Sequence, residues 1–223
     1  MLTKKFFAAL VAVICLALPV RAQYYELANQ LPSLISPALS GSMNYRGFVQ
    51  VHGLAGLGDA RANFVGISTS QGFQYTNWFF MGVGIGVDAA IGNRDHNGYS
   101  DTSWGYSPEG SDTRVLLPVF SDFRFDIGTG SPTTFFIDAK LGAAWLLGDG
   151  YLRLNSSGSK LLSNATQFYF QPTLGLRFPI SSTNAKQAIT IGATYQLLTA
   201  GNNCYGGYSA TVSALGLTVG FEW

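Results

Sequence analysis

Histidine is the side chain most often used for acid–base chemistry, and this chain of 223 residues has two, His52 and His96. A serine hydrolase would need one of them within hydrogen-bond reach of a serine hydroxyl and of an acidic partner. Ser68 and Ser70 are candidates for that serine, because their segment is expected to neighbour the segment of His52. Whether this chemistry is possible depends on the faces to which these side chains point.

Two other patterns could bind a cofactor or a metal. Residues 82–86 carry glycine at alternate positions, but they lack the spacing of a dinucleotide-binding loop and open no helix. Asp95, Asn97 and Asp101 could offer oxygen ligands to calcium, although the spacing of an EF-hand loop is incomplete. We therefore expect no cofactor and no metal.

The first 22 residues are typical of a secretory signal that is cleaved. Lys4 and Lys5 precede an apolar run over residues 6–20, and Val20-Arg21-Ala22 is a small-residue cleavage site. Cleavage removes three of the 13 basic residues and none of the 12 acidic ones, which leaves the chain near neutrality with no basic patch. This charge argues against nucleic acid as a partner. Cys204 would be the one remaining cysteine, a free thiol or the site of an intermolecular disulfide.

Eight segments after residue 43 alternate between apolar residues and small or polar ones, which is the pattern of β-strands. They cover residues 45–56, 62–75, 78–90, 114–127, 133–147, 167–179, 188–198 and 210–223. In the last of them, large apolar side chains share one face: Leu215, Leu217, Val219, Phe221 and Trp223. An apolar face opposite a small and polar face suits lipid outside and a narrow lumen inside. We therefore predict an all-β fold, an eight-stranded antiparallel up-and-down transmembrane barrel over residues 44–223.

The connections support this topology, because three long polar stretches, 92–112, 148–164 and 199–209, alternate with short turns. In an even-stranded barrel with both termini in the periplasm, the long connections lie outside the outer membrane. Aromatic residues would form a girdle at the periplasmic strand ends: Tyr45, Phe73, Phe79, Phe125, Phe135, Phe178, Phe221 and Trp223. Residues 23–43 precede the barrel as a periplasmic segment that forms either short helices or a loosely ordered tether.

Alternation places ten charged residues inside the barrel, five of each sign: Arg46, Arg114, Arg124, Lys140, Arg177, Asp88, Asp122, Asp126, Asp138 and Glu222. Eight strands enclose a space that side chains can fill. Charges in that space must be paired, since an unpaired buried ion costs several kcal/mol. We therefore expect a structural network of ion pairs, with a gate or proton path as the alternative. Large inward side chains also argue against an open pore: Phe48, Phe80, Leu116, Phe120 and Tyr169.

The same alternation answers the question about His52. It points inward, as Ser68 and Ser70 do, and a site below the rim of a narrow barrel cannot readily meet acyl chains. We therefore expect no enzyme and name no catalytic residue. The loop over residues 92–112 offers Tyr99, Trp104 and Tyr106 as candidate contacts for a sugar or a protein, unless these rings pack on the barrel rim.

The chain resembles the small outer-membrane β-barrel proteins of the OmpA/OmpX-like, eight-stranded class, and especially the outer-membrane barrels common in Bacteroidetes. Four stretches carry the resemblance: Tyr45-Arg46-Gly47-Phe48-Val49, Gly72-Phe73-Gln74-Tyr75, Pro118-Val119-Phe120-Ser121-Asp122-Phe123-Arg124 and Val219-Gly220-Phe221-Glu222-Trp223. The resemblance implies an integral outer-membrane protein of a Gram-negative cell, inserted by the barrel-assembly machinery. Most relatives in this class lack a known catalytic role.

Together these features predict a non-catalytic outer-membrane barrel with a charge-paired lumen. Its partners would be outer-membrane lipid and an extracellular ligand at the outer loops. One alternative is porin-like transport of small solutes, which requires an unobstructed polar lumen. A minor alternative is a lipid-modifying enzyme of the outer membrane.

Overall fold

The structure is a computed structural model. It describes residues 44–58, 60–92, 110–111, 113–128, 133–148, 151–154, 160–162, 165–180, 187–200, 208–209 and 211–223. The predicted signal peptide, the segment over residues 23–43, and Cys204 lie outside the described residues. Within the described part of the chain, no helix is long and apolar enough to cross a membrane.

The described residues form twelve strands, which are, in chain order, β1 (Asn44–Leu57), β2 (Ala62–Thr76), β3 (Phe79–Gly92), β4 (Gly110–Ser111), β5 (Thr113–Ile127), β6 (Thr134–Leu146), β7 (Tyr151–Arg153), β8 (Lys160–Leu162), β9 (Gln167–Pro179), β10 (Ala188–Ala200), β11 (Tyr208–Ser209) and β12 (Thr211–Glu222). Eight of them close into a barrel in the order β1-β12-β10-β9-β6-β5-β3-β2. All neighbours in the barrel are antiparallel, and β12 closes it by pairing with β1. The predicted eight-stranded antiparallel barrel is confirmed, and each of the eight predicted segments coincides with one of these strands.

Two faces of each barrel strand differ as the alternation predicts. On β12, Leu217 is 65% exposed and Val219 is 51% exposed, whereas Thr218 between them is buried. The same alternation runs along β2, where Val65 and Ile67 are exposed and Gly66 is buried. In water such a surface would be unfavourable, because large apolar side chains stabilise a fold when they leave water. The exposed apolar belt therefore indicates that hydrocarbon surrounds the barrel.

The two ends of the barrel differ in their connections. At one end, called the turn end, the connections are short, and Asn77 and Trp78 join β2 to β3 directly. The opposite end, called the loop end, carries three long connections and the short first one at Gly58. Among the described residues, positive φ angles occur only at glycines, and Gly58 and Gly128 adopt them immediately after β1 and β5. Glycine is needed there because a side chain would be strained in that conformation.

The long connections contain strands that the sequence analysis did not predict. The short strands β4, β7, β8 and β11 form a second sheet in the order β11-β8-β7-β4, and they come from all three long connections. Strands β7 and β8 pair antiparallel, while β4 and β11 join the edges in parallel. The sequence analysis described these stretches as long polar connections and did not predict the short strands, because a strand of two or three residues shows no recognisable periodicity.

Candidate functional site

A layer of ion pairs crosses the lumen at the turn end. Arg46 on β1 donates from Nη1 to Asp126 Oδ2 at 2.6 Å and from Nε to Glu222 Oε1 at 2.8 Å. Glu222 on β12 also accepts from Arg177 Nη2 on β9 at 2.8 Å. We call these four residues the ionic layer. Their side chains join β1, β5, β9 and β12. Because the opposite charges meet directly, they offset part of the cost of removing each ion from water.

Next to the ionic layer, on the side of the loop end, Arg124 contacts one carboxylate and two aromatic rings. Its Nη2 donates to Asp138 Oδ2 at 3.0 Å. Its guanidinium carbon lies 4.0 Å from the centroid of Phe48 and 4.2 Å from that of Phe136. A planar cation between two ring faces is attracted by both, and the attraction strengthens when the group is removed from water. All three side chains are almost completely buried.

Lys140 continues the polar network toward the loop end. Its ammonium donates to the side-chain oxygens of Gln50 and Gln171, and Gln171 in turn donates to Gln196 at 3.0 Å. Gln50 Nε2 lies 3.4 Å from Asp138 Oδ2, which links this group to Arg124. Asp122 lies directly opposite Lys140 in the pairing of β5 with β6. Hydrogen bonds between neutral amides thus extend the charge pairs across the barrel.

One buried pair was not anticipated. His52 Nε2 lies 3.3 Å from Asp88 Oδ1, and both side chains are almost completely buried. His52 on β1 and Asp88 on β3 both pair with Gly66 on the strand between them. A Cβ at Gly66 would lie 2.8 Å from His52 Nε2, so the two side chains meet in the space that this glycine leaves. His52, rather than Lys or Arg, is therefore the basic side chain in contact with Asp88.

Arg114 differs from the other predicted interior cations. It lies near the loop end of β5, is half-buried, and donates from Nη2 to the backbone carbonyl of Leu147 at 2.9 Å. Alternation alone placed it with the buried charges, because alternation does not tell how far along the barrel axis a residue lies. Its position at the rim lets the guanidinium reach a strand end and water.

Leucine side chains close the lumen at the loop end. Leu152, Leu154 and Leu162, from the loop connection between β6 and β9, are fully buried. They belong to one apolar cluster with barrel residues such as Leu116 and Leu198. The backbone N–H of Arg61 donates to the carbonyl of Leu154 at 3.2 Å, which ties this connection to the start of β2. This leucine plug replaces water at the mouth with closely packed hydrocarbon.

The residues that the sequence analysis considered for catalysis lie inside the barrel, away from the outer surface. His52, Ser68 and Ser70 all face the lumen and are buried beneath the leucine plug. Across the described residues, no group of three or more His, Cys, Asp or Glu side chains could hold a metal ion. The loop residues Tyr99, Trp104 and Tyr106 lie outside the described part of the chain.

Aromatic rings surround the outside of the barrel at the turn end. Phe79 and Phe125 lie 5.1 Å apart between ring centroids, and Trp78 stacks on Phe125 at 6.0 Å. Two further pairs, Tyr45 with Phe73 and Phe221 with Trp223, continue the ring of aromatics across β2, β1 and β12. Amphipathic rings concentrate at the boundary between hydrocarbon and water. The girdle marks the turn end as one membrane boundary.

The fold and the interior define a class: a small closed antiparallel barrel of eight strands, apolar outside and filled inside. No protein-family model and no curated protein sequence matches this chain. Similar solved structures include the outer membrane enzyme PagL, 13% identical with a TM-score of 0.49, over 77% of this chain and 97% of PagL. They also include Neisserial surface protein A, 14% identical with a TM-score of 0.47, over 80% of this chain and 94% of that protein.

A third similar structure is the N-terminal β-barrel domain of OprF from Pseudomonas aeruginosa. It is 12% identical with a TM-score of 0.41, over 81% of this chain and 99% of that domain. Likeness at this level of identity concerns the fold alone.

Proposed function

We propose that this chain is an integral outer-membrane protein whose barrel supports an interaction surface built from its three long connections, and that it neither conducts solutes nor catalyses a reaction. The observation that carries the proposal is the pairing of an exposed apolar belt with a filled lumen. The belt fits the hydrocarbon of a membrane, since large side chains such as Leu217 and Val219 are exposed on the outer face. In the part of the chain that the structure describes, buried charged and apolar side chains occupy the lumen, which argues against the free passage that a transport protein needs.

The filled lumen argues for support rather than transport at two levels. The ionic layer at the turn end places Arg46, Asp126 and Glu222 in direct contact. At the loop end, Leu152 and Leu162 are packed inside the mouth. A solute would have to separate buried ion pairs and also displace packed leucines. Both steps cost several kcal/mol, which is prohibitive for a channel that must conduct rapidly.

The outer surface follows from the second sheet. Strands β4, β7, β8 and β11 bring the three long connections together into one element, so a ligand would meet a single surface rather than three separate loops. Residues 92–112, 148–164 and 199–209 are the proposed contact segments, with Tyr99, Trp104 and Tyr106 as candidate contacts. Both termini would face the periplasm, and the barrel-assembly machinery would insert the chain.

Single-channel recording in planar bilayers tests the absence of transport. We expect folded protein to give no discrete conductance steps above the protein-free bilayer. A reproducible, well-defined conductance would contradict the proposal and favour passage of small solutes. Incubation with outer-membrane lipid tests the absence of catalysis, and a hydrolysis activity lost in His52→Ala would establish an enzyme instead.

The orientation is tested on intact cells with a membrane-impermeant maleimide. Cys204 lies in the last long connection, so we expect it to be labelled in the native chain and the label to vanish in Cys204→Ser. Asn77→Cys in the Cys204→Ser background places the thiol in a turn at the opposite end. This variant should be labelled only after the outer membrane is permeabilised. Labelling of Asn77→Cys in intact cells would reverse the proposed topology.

A further inference from the structure

Two prolines interrupt the strand pairing of the barrel wall. The register of β3 with β5 omits the positions around Pro118, and that of β9 with β10 omits the positions around Pro172. Proline has no backbone N–H and cannot donate to a neighbouring strand. In sheets it is therefore largely confined to edge strands and bulges, whereas β5 and β9 each have a paired neighbour on both sides. We call the two interruptions the proline seams.

Each proline leaves one backbone carbonyl without the donor that a strand normally supplies. In an antiparallel sheet, the N–H and C=O of a residue point to the same neighbouring strand, and successive residues alternate. Pro118 lies opposite Gly86, and Pro172 lies opposite Tyr195. Pairing continues past both prolines on the side of β6, so the missing N–H groups belong to the bonds with β3 and β10. The carbonyls of Gly86 and Tyr195 therefore face a proline nitrogen.

The seams isolate the ends of two strand pairs at the loop end of the barrel. Beyond Pro118, β3 remains paired with β5 over residues 88–91. Beyond Pro172, β10 remains paired with β9 over residues 197–200. Short paired segments at the end of a sheet open locally at a lower free energy than a continuous ladder does. The wall is therefore easiest to open beside these two prolines.

The two seams lie on either side of β5, β6 and β9, which are consecutive in the barrel. We call these three strands the plug section, because the connection between β6 and β9 carries the leucine plug, Leu152, Leu154 and Leu162. Within the plug section, the pairing of β6 with β5 and with β9 has no interruption. A movement of the plug section therefore also moves the leucine plug.

Charged contacts hold the plug section at the turn end. Asp126 of β5 accepts from Arg46 of β1, and Arg177 of β9 donates to Glu222 of β12. Hydrogen bonds between groups of opposite charge are roughly twice as strong as those between neutral groups. Both outer strands of the plug section are thus fixed to the rest of the barrel by the ionic layer.

Neutral contacts hold the plug section nearer the loop end. Gln171 Nε2 donates to Gln196 Oε1 at 3.0 Å across the seam between β9 and β10. The backbone N–H of Arg61 on the β2 side donates to the carbonyl of Leu154, and β8 pairs with the short strand β11. The contacts that break more easily therefore lie at the mouth, and the stronger ones lie at the turn end.

We propose that the plug section is a movable part of the barrel wall, which separates from β3 and β10 at the mouth, pivots on the ionic layer and moves the leucine plug out of the lumen. The motion breaks the isolated strand ends beyond the two prolines and the bond between Arg61 and Leu154. The ionic layer and the contact of Lys140 with Gln50 remain, so the mouth opens without forming a channel. A barrel that moves in this way still gives no conductance, and single-channel recording remains a separate test.

Hydrogen exchange of the folded chain, measured by NMR in detergent micelles, tests the seam beside Pro172. The amides of Tyr195 and Leu197 point to β9, whereas those of Thr194 and Gln196 point to β12 and are the control within the same strand. We expect the first pair to exchange about tenfold faster than the second, and Pro172→Ala to remove the difference, because it restores one backbone hydrogen bond. Equal rates for the two pairs in the native chain, or no change in Pro172→Ala, would overturn the proposal.

Thiol labelling in the Cys204→Ser background tests whether the plug moves with the wall. Leu154→Cys should react slowly with a small methanethiosulfonate in the folded state, and about tenfold more slowly when Pro118→Ala and Pro172→Ala restore the missing bonds. Asn77→Cys, at the exposed turn, is the control that should react at one rate in both backgrounds. If Leu154→Cys does not fold, as judged by the mobility of unheated protein in SDS gels, Leu162→Cys replaces it. A plug thiol that never reacts, or reacts equally with and without the prolines, would overturn the proposal.

Discussion

Arg46 and Glu222 form a hydrogen-bonded ion pair of 2.8 Å between residues that are 176 positions apart. The pair lies across the junction of β1 and β12, the first and the last strands of the barrel, which also pair through their backbones. Glu222 accepts from Arg177 of β9 as well, and its second oxygen lies 3.8 Å from Arg124 Nη1. One carboxylate thus balances several guanidinium groups at the point where the sheet closes.

Replacing Glu222 with glutamine should destabilise the barrel more than any other single interior change of similar size. The substitution keeps the shape but removes the anion that buried Arg46 shares with half-buried Arg177, so that Arg46 keeps its ion pair with Asp126 and loses the one with Glu222. Removing one partner of a buried ion pair costs about 3–5 kcal/mol. The measurement is the free energy of unfolding in urea, followed by tryptophan fluorescence in lipid vesicles.

Leu217→Val is the control for this prediction, because it changes an outward-facing residue of the same strand. It should alter the free energy of unfolding by less than about 0.5–1 kcal/mol, as conservative exposed changes do. An unfolding free energy of Glu222→Gln equal to that of Leu217→Val would show that the ionic layer contributes little to stability.

Gly66→Ala tests the contact between His52 and Asp88. A Cβ at this position would lie 2.8 Å from His52 Nε2 and closer still to Asp88 Oδ1, so the pair must separate. Overpacking of this kind costs about 1–3 kcal/mol. Gly53→Ala is the matched control, since a Cβ there meets nothing within 4 Å. The urea midpoint should fall for Gly66→Ala and stay constant for Gly53→Ala; equal midpoints would mean that His52 and Asp88 do not meet at Gly66.

Arg124→Lys separates the shape of the cation from its charge. Lysine retains the positive charge near Asp138 but loses the planar group that lies between Phe48 and Phe136. Arginine and lysine are not equivalent at a stacked site, and we expect a loss of about 2 kcal/mol in the free energy of unfolding. Arg61→Lys, at an exposed position, should have no measurable effect. If the free energy of unfolding does not change in Arg124→Lys, the stability of this site comes from charge alone.

Sequence patterns predicted the strands and the faces of the barrel well, because alternation is imposed by the pleat and by the contrast between lipid and lumen. They did not predict which interior charges meet, since contacts across the lumen depend on strand register. His52 and Asp88 were both placed inside, but their contact follows only when both are seen to pair with Gly66. Arg114 was grouped with the buried charges because alternation does not tell how far along the barrel axis a residue lies.

The leucine plug was missed because its strands are too short to show a period. In hindsight one signal was present, since Leu152 and Leu154 alternate with Tyr151 and Arg153 inside a stretch that was treated as polar. Two alternating leucines predict a buried plug only when it is known that side chains fill the mouth of the barrel. Packing at the mouth is a property of three connections together, and none of them shows it alone.

Leu217→Arg tests whether the apolar belt faces hydrocarbon. Leu217 lies midway along β12 and is 65% exposed on the outer face. Arginine at the midplane of a bilayer costs a transmembrane barrel about 2–4 kcal/mol, whereas the same change near a membrane boundary costs about 0–1 kcal/mol. Leu57→Arg, at the loop end of β1, is therefore the matched control.

Both variants are unfolded by urea in lipid vesicles and again in detergent micelles. In vesicles, the free energy of unfolding should fall for Leu217→Arg by several times the change for Leu57→Arg, because only the first residue is held in the centre of the hydrocarbon. In micelles the difference should shrink, since a micelle adapts to a charged side chain more easily than a bilayer does. On a barrel surrounded by water, both exposed positions would accept arginine within about 0.5 kcal/mol. Equal, small changes in vesicles would therefore contradict a membrane-spanning barrel.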